Sequence, residues 1–467
     1  MRSFRAASSP SDLWRNPSYR CYAGSWFLIT FSRRIEFFAV TIHFVKIFSE
    51  TQASFAVAMV GLVQALPVML LAIAGGHIAD RFNRRNVMLL TYSLGIVTAG
   101  GLMATAIFDG SIWWIYGLLA LGAVGWGLGN PARQALLPQL VPARVFSNSV
   151  AWNSTVFSIA TVTGPLAAGG ILWLSQKAGD GAGPVQSALG GTFGSVAASF
   201  FRWVSTGEGL AAAFAAVLLC RLAALAAIAA IRVRRSDRGE QPLSWESLVA
   251  GIRFVWNTKL ILATITLDLF AVLLGGGTYL LPIFAQHILH VGPTALGLLL
   301  AADAVGAICM AVVLGQLPPM RRAGVTLLWA VAGFGVWWIV FGLSQSFWIS
   351  LVAMFLVGAL DNISVVVRHT LVQMLTPDEM RGRVSAVNGI FIVASNDLGG
   401  LESGMTAGLL GRMFGPGLGP VISVVGGGIG TVLVVLAASR IWPQLRKVGS
   451  LATIHPATVE EPEPCPV

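Results

Sequence analysis

The chain has 467 residues, of which 55% are hydrophobic and only 11% charged; 30 Lys and Arg stand against 20 Asp and Glu, a formal charge of +10, and the mean hydropathy is +0.76. An ordinary soluble domain is about a quarter charged, so these values exclude a disordered chain, a disulfide-rich secreted domain and a coiled coil. They also argue against a nucleic-acid partner despite a pI near 10.1: a basic groove needs Lys and Arg clustered on one face, whereas only Lys46 and Lys177 precede position 250 and the Arg residues fall in short bursts between apolar runs.

In chain order, Met1–Arg20 is polar, holds Arg2, Arg5, Arg15 and Arg20, and lacks an apolar core followed by a cleavage site, so no secretory signal is expected. Twelve apolar runs follow, near 22–48, 54–76, 87–107, 112–130, 149–174, 209–231, 260–284, 295–315, 325–343, 347–367, 384–410 and 419–441. Each is about the 20 residues that a helix needs to cross a bilayer. The segment 185–204 is diluted by Gly, Ser and Arg202 and reads as an amphipathic helix lying on the membrane rather than a thirteenth span.

Bases cluster at alternate connections. They are Arg81, Arg84 and Arg85; Arg133 and Arg144; Arg232, Arg234, Arg235 and Arg238; Arg321 and Arg322; Arg368, Arg381 and Arg383; and Arg446 with Lys447. The opposite connections hold little beyond Lys46, Lys177, Arg202 and Arg412. The positive-inside rule then predicts an even number of spans with both termini cytoplasmic. The expected organisation is a cytoplasmic N-terminal segment (1–21), a six-helix half (22–231), a cytoplasmic linker (232–259), a second six-helix half (260–441) and a disordered cytoplasmic tail (442–467).

The halves carry an internal repeat. Arg133, Leu136, Leu140, Pro142, Ala151 and Asn153 match Arg368, Leu371, Leu375, Pro377, Ala386 and Asn388 at one offset, 368 − 133 = 235. Paired six-helix halves are a transporter arrangement, with a substrate site near the bilayer midplane.

The loop after the second run reads Gly75-Gly76-His77-Ile78-Ala79-Asp80-Arg81-Phe82-Asn83-Arg84-Arg85. It resembles the signature loop of the major facilitator superfamily, Gly-x-x-x-Asp-Arg-x-x-Arg-Arg, with Asn83 where that pattern usually has Gly or Asp. Asn130-Pro131-Ala132-Arg133 through Asn153, Gly164-Pro165, Arg381 through Asn388 and Ser395 through Ser403 are similar to the enterobactin-exporter-like branch. The resemblance implies an all-α membrane protein of twelve transmembrane helices in two pseudo-symmetric halves, resident in a bacterial inner membrane. It also implies proton-driven efflux of a drug-like or siderophore-like molecule. In such a protein Gly76, Asp80, Arg81, Arg84 and Arg85, with Arg381 and Arg383, form a cytoplasmic gate, Asp80 accepting from Arg84 or Arg85 or facing the helix that starts near Arg383. Topological anchoring is the alternative reading of the same charges.

Charges inside spans cost about 2.5–3.5 kcal/mol each on insertion scales, so they need a wet cavity or a partner. In the first span Arg33, Glu36, Val40 and His43 share one face. Arg33 and Glu36 are spaced to pair, either steadying the helix or serving as a proton or substrate group; His43 reads as a hydrogen-bonded interfacial residue. Asp268, Asp303, Asp397 and Glu402 are the other deep acids, candidates for proton coupling or for interhelical hydrogen bonds, while Asp361 reads as a shallower interfacial group. Gly164-Pro165 and Gly169-Gly170 mark a bend in the fifth span, similar to the antiporter signature of drug exporters but with one residue more before the glycine pair. Trp113, Trp114, Trp348 and Trp442 read as interfacial anchors; Trp126, Trp152 and Trp173 are candidates to line a cavity for a bulky amphipathic ligand.

Cys21, Cys220, Cys309 and Cys465 have neither metal-ligand nor redox spacing and read as free thiols. The sequence holds no phosphate loop, no His-Glu-x-x-His and no Gly-x-Ser-x-Gly. No enzymatic activity, cofactor or metal is expected. The expected partners are a small-molecule substrate, protons and the bilayer, and the expected state is a monomer. An importer or symporter on the same scaffold, or a non-transporting membrane sensor, are the competing readings.

Overall fold

A computed structural model describes residues 13–108, 110–179, 195, 209–231, 245–318, 320–377 and 380–449; among them the regular structure is helical, with no strand. The segment 185–204, apart from position 195, lies outside these residues, as do the ends of the chain and the first part of the linker. The helices are α1 (Pro17–Ile47), α2 (Glu50–Arg81), α3 (Arg84–Ile107), α4 (Ile112–Leu140), α5 (Ala143–Gly179), α6 (Leu210–Ala229), the short α7 (Trp245–Asn257), α8 (Lys259–Leu274), α9 (Pro293–Gln316), α10 (Ala323–Leu343), α11 (Phe347–Leu375), α12 (Arg381–Phe414) and α13 (Leu418–Ile441). Among the described residues, eleven apolar stretches are long enough to cross a bilayer. With α1, whose apolar run is interrupted by Arg33, Arg34 and Glu36, the twelve predicted spans all find a helix. The chain is a multi-pass membrane protein. Side chains such as Leu70, Leu90 and Trp329 stand exposed on its helices, as a lipid-facing surface requires.

Helix boundaries follow local chemistry. Asn16 caps α1, accepting from the backbone N–H of Ser18 and Tyr19, and Pro17 occupies the first turn. The helix therefore begins about a turn before the first apolar run. Asn83 caps α3 in the same way, accepting from Arg85 N at 3.0 Å. That gives the departure from the signature loop a local reason. Part of the stretch read as a linker forms α7, where Gly251 packs against the Arg383 carbonyl. The seventh span is continuous as an apolar run, Lys259–Ile288, but not as an α-helix. After α8 it passes through a 3-10 turn (Gly277–Leu280) and a π turn (Phe284–Ile288). A Cβ at Gly276 would lie 2.7 Å from the Gly399 backbone, and one at Gly277 the same distance from the Trp338 ring. Only glycine admits both approaches.

The repeat seen in the sequence reappears in helix limits: α4 and α11 begin 347 − 112 = 235 and end 375 − 140 = 235 residues apart. The chain packs as two compact units. One comprises Met1–Ser49, Val63–Pro242 and His290–Ala301; the other comprises Glu50–Leu62, Leu243–Leu289 and Ala302–Val467. The first is cored by Tyr19, Tyr22, Met88, Leu136 and Ile228, the second by Leu267, Leu327, Leu371 and Leu445. Water drives no burial between helices in lipid, so close packing at small residues carries much of the cohesion. In the first unit Gly164 meets the Cβ of Arg34 on α1, Gly169 the Pro293 carbonyl, and Gly297 the Pro165 carbonyl. Gly170 has open space around it. The Gly-Pro motif of α5 is thus a packing surface for α1 and for the first turns of α9.

Candidate functional site

The first unit encloses an open cavity of about 660 Å³ lined by residues of α1 to α4 and α6. Its wall includes Arg33, Glu36, Gln64, Tyr92, Trp126, Arg133 and Arg221. Glu36, which stands three residues after Arg33 on α1, is paired with a base on another helix. Arg221 of α6 donates to its Oε2 at 2.6 Å, the two side chains being 6% and 13% exposed. The same guanidinium donates to the Gly95 carbonyl at 2.7 Å and the Thr98 hydroxyl at 2.9 Å. Arg33 lies over the Trp126 ring, 4.0 Å from its centroid, a cation–π contact of about 2 kcal/mol when desolvated. Arg133 lies 3.5 Å over Trp26. It also donates to Asn130 Oδ1 and to the Tyr22 hydroxyl, which receives Asn153 Nδ2 as well. Three guanidiniums against one carboxylate, interleaved with Trp and Tyr, make a cationic, aromatic chamber.

The second unit has a smaller cavity lined by Asp268, Ala271, Val272, Val331, Phe334, Asp361 and Ser364. Subtracting 235 from 268, 271, 361 and 364 gives 33, 36, 126 and 129, all of which line the first cavity. The two cavities therefore occupy the same place in the repeat, with opposite charge. Asp268 of α8 forms a buried ion pair with Arg368 of α11. Arg368, read from sequence as a cytoplasmic anchor, is instead 3% exposed. Asp361, read as a shallow interfacial group, shares the cavity of Asp268.

The other deep acids lie apart from both cavities. Asp397 accepts from the Tyr279 hydroxyl at 3.0 Å, which ties α12 to the unwound part of the seventh span. Glu402 accepts locally from Thr406 at 2.9 Å. Asp303 lies against Gly358 of α11.

In the signature loop Gly76 is buried and Arg81 exposed. Arg84 donates to the Ala135 carbonyl at 2.9 Å, and Arg85 to the carbonyls of Ile228 and Ala229 at the end of α6. Arg85 thus meets carbonyls at the C-terminal end of α6, where cations are favoured. The side chains of Asp80 and Arg381 lie outside the described residues; Arg383 donates to the Met380 sulfur. Trp113, Trp114 and Trp348 are well exposed, as anchors should be, whereas Trp442 packs into the core of the second unit. Among the described residues no group of His, Cys, Asp and Glu could hold a metal ion.

Sequence reasoning missed Arg221 and Tyr279. Arg221 had a signal: it is the one charge in the 20-residue run of α6, and an isolated intramembrane charge calls for a partner. Tyr279 had none, because its role depends on where the seventh span unwinds.

Residues 23–400 match the model of the Major Facilitator Superfamily. The chain is 28% identical over 403 residues to the Enterobactin exporter EntS of Citrobacter koseri, covering 85% of each protein. It is 26% identical over 377 residues to that of Shigella boydii serotype 18, covering 80% of each. Among solved structures it resembles a bacterial homolog of the human lysosomal transporter Spinster, with a TM-score of 0.69 at 17% identity over 92% of this chain and 98% of that one. It also resembles a D-xylose-proton symporter, with a TM-score of 0.66 at 15% identity over 92% and 99%. The signature loop, the repeated helix pairs and a match spanning most of the length agree: the chain belongs to the Major Facilitator Superfamily.

Proposed function

We propose that this chain is a secondary active transporter that exports a small organic molecule across a bacterial inner membrane by alternating access, in exchange for protons. The observation that carries the reading is the cationic, aromatic cavity of the first unit, in a chain whose curated relatives are named enterobactin exporters. Arg33, Arg133 and Arg221 offer charge, Trp126 and Tyr92 offer flat apolar surface, and Glu36 holds Arg221 until a ligand competes for it. Asp268, Asp303, Asp397 and Glu402 are the coupling candidates in the second unit. In this reading the six-helix halves move as bodies, both termini are cytoplasmic, and the protein works as a monomer. Gly76, Asp80, Arg81, Arg84, Arg85, Arg381 and Arg383 form the cytoplasmic gate.

The test uses inside-out vesicles containing the purified protein, with enterobactin as the probe and an inwardly acidic gradient. Accumulation that collapses with the gradient is expected. Loss of one charged hydrogen bond, worth about 1.5–3 kcal/mol, lowers affinity or rate roughly ten- to a hundredfold, so Glu36→Gln should reduce the flux to that extent. Asp80→Asn should abolish flux while insertion is retained. Accumulation under the reversed gradient would instead mark an importer. Absence of gradient-dependent movement of this probe and of a panel of amphipathic anions would leave a non-transporting sensor.

A further inference from the structure

We infer that Asp361 is the proton-exchanging carboxyl of the second unit, and that Arg368 is its positioning residue, a guanidinium bound to Asp268 when Asp361 is protonated and shared with Asp361 when it is not. The inference deepens the transport reading above and rests on it for its purpose, though not for its test.

Geometry carries it in three steps. Asp361 and Arg368 lie seven residues apart on α11, so they share a face and are separated by about 10 Å along the axis. A helical side chain leans towards the N-terminus, which brings the Arg368 head back towards Asp361. Asp268 and Asp361 line one cavity, and the repeat places them face to face independently. Their counterparts at 268 − 235 = 33 and 361 − 235 = 126 are Arg33 and Trp126, which touch at 4.0 Å. Finally, Arg368 is 3% exposed and bonds Asp268 through Nη1, but its Nε is buried with no acceptor. A guanidinium with five donors is built to hold two carboxylates.

The charges acting on Asp361 are Asp268 from α8, Asp303 from α9 and Arg368 from its own helix, with His369 beside Arg368. A Cβ at Gly358 would lie 2.7 Å from Asp303 Oδ1, so that carboxylate sits on α11 three residues before Asp361. α10 contributes only Val331 and Phe334 to the cavity, and Thr431 of α13 is turned to the Ala271 carbonyl. Asp268 and Asp361 line one cavity, and the Arg368 guanidinium acts on both. Two carboxylates beside a single guanidinium in a low-dielectric interior do not both ionise. The ion pair pins Asp268 as the anion. Asp361 makes no hydrogen bond to a described residue and is free to keep its proton. When Asp361 releases that proton to water entering the cavity, its new anion takes the free donors of Arg368. One proton leaves and the cluster gains one negative charge.

The experiment is an infrared pH titration of the full-length protein in lipid, read at the carbonyl stretch of protonated carboxyls. The wild type should show a band that vanishes on going from acid to alkaline pH. D361N should lose that component, and D361E should restore it at a glutamyl frequency. In D268N, where the guanidinium is left to Asp361, the component should appear only in stronger acid. If D361N fails to insert, D361E and D268N carry the test. A wild type without a titrating band, a D361N protein that keeps the band in full, or a D268N protein with an unmoved titration overturns the inference. Because no substrate is involved, any of these outcomes leaves the transport reading standing; absent flux with the expected titration does the reverse.

Discussion

Glu36→Ala should destabilise the first unit by about 3 kcal/mol, near the low end of the 3–5 kcal/mol seen when one partner of a buried ion pair is removed. The loss comes less from the attraction forgone than from the group left behind. Arg221 is 5% exposed overall, cannot give up its proton, and keeps only the Gly95 carbonyl and the Thr98 hydroxyl. Water in the adjoining cavity softens the penalty, which sets the estimate low in the range. The decisive measurement is a double-mutant cycle on thermal stability in detergent. Arg221→Met alone should cost less, since Glu36 lines the open cavity and is the more exposed partner. Glu36→Leu with Arg221→Met should recover most of the loss, because a buried pair exchanged for apolar residues of similar volume is often neutral. Equal instability of the double variant and Glu36→Ala would show that the helices, rather than the charges, are what the pair holds. The recovered variant should remain inactive in flux, which separates stability from transport.

Gly306→Leu should have an effect of comparable size for a purely steric reason. Gly306 of α9 lies against the carbonyl of Phe355 on α11, so close that a Cβ there would occupy the oxygen's own space. Gly358 of α11 stands in the same relation to the Asp303 backbone of α9. Each helix thus offers a glycine where the other's backbone approaches, the small-residue crossing that substitutes for hydrophobic association in lipid. Forcing a larger side chain into packed interior typically costs about 1–3 kcal/mol and occasionally more; with backbone rather than a flexible side chain in the way, the upper value of about 3 kcal/mol is expected. Folded yield by fluorescence-detected size exclusion checks it, with Gly315→Leu on the same helix as control. Gly315 has nothing within 4 Å, and the control should be neutral. An equal loss at both positions would show that the close approach of α9 and α11 is not what Gly306 serves, since helix propensity alone favours Leu over Gly.

Much of the fold was legible because a bilayer imposes a coarse rule that a sequence cannot hide: each crossing must be helical and apolar for about 20 residues. That rule located α1 to α6 and α8 to α13, and the repeat at offset 235 located equivalent positions in the two units. Boundaries slipped where caps rather than hydropathy decide, as at Asn16 and at α4, which runs on through Pro131 and Pro138. Of the charges singled out as too costly to be idle, Arg33, Glu36 and Asp268 line the two cavities, whereas Asp303, Asp397 and Glu402 do not. The site was not legible as a set of partners. Spacing along one helix favoured Arg33 with Glu36. The structure pairs Glu36 with Arg221, 185 residues away, and Arg368 with Asp268, 100 residues away.

The sequence by itself determined the membrane class, the number of crossings, the duplicated plan and the inventory of intramembrane charge, because hydropathy, charge and repeat offset are properties of short stretches. Only the tertiary structure decided which charge answers which, that the first unit's cavity is cationic and aromatic while its repeat-equivalent is acidic, and where the seventh span unwinds beside Asp397. Those outcomes depend on which helix faces come together, and a face meets its neighbour only once the chain has packed.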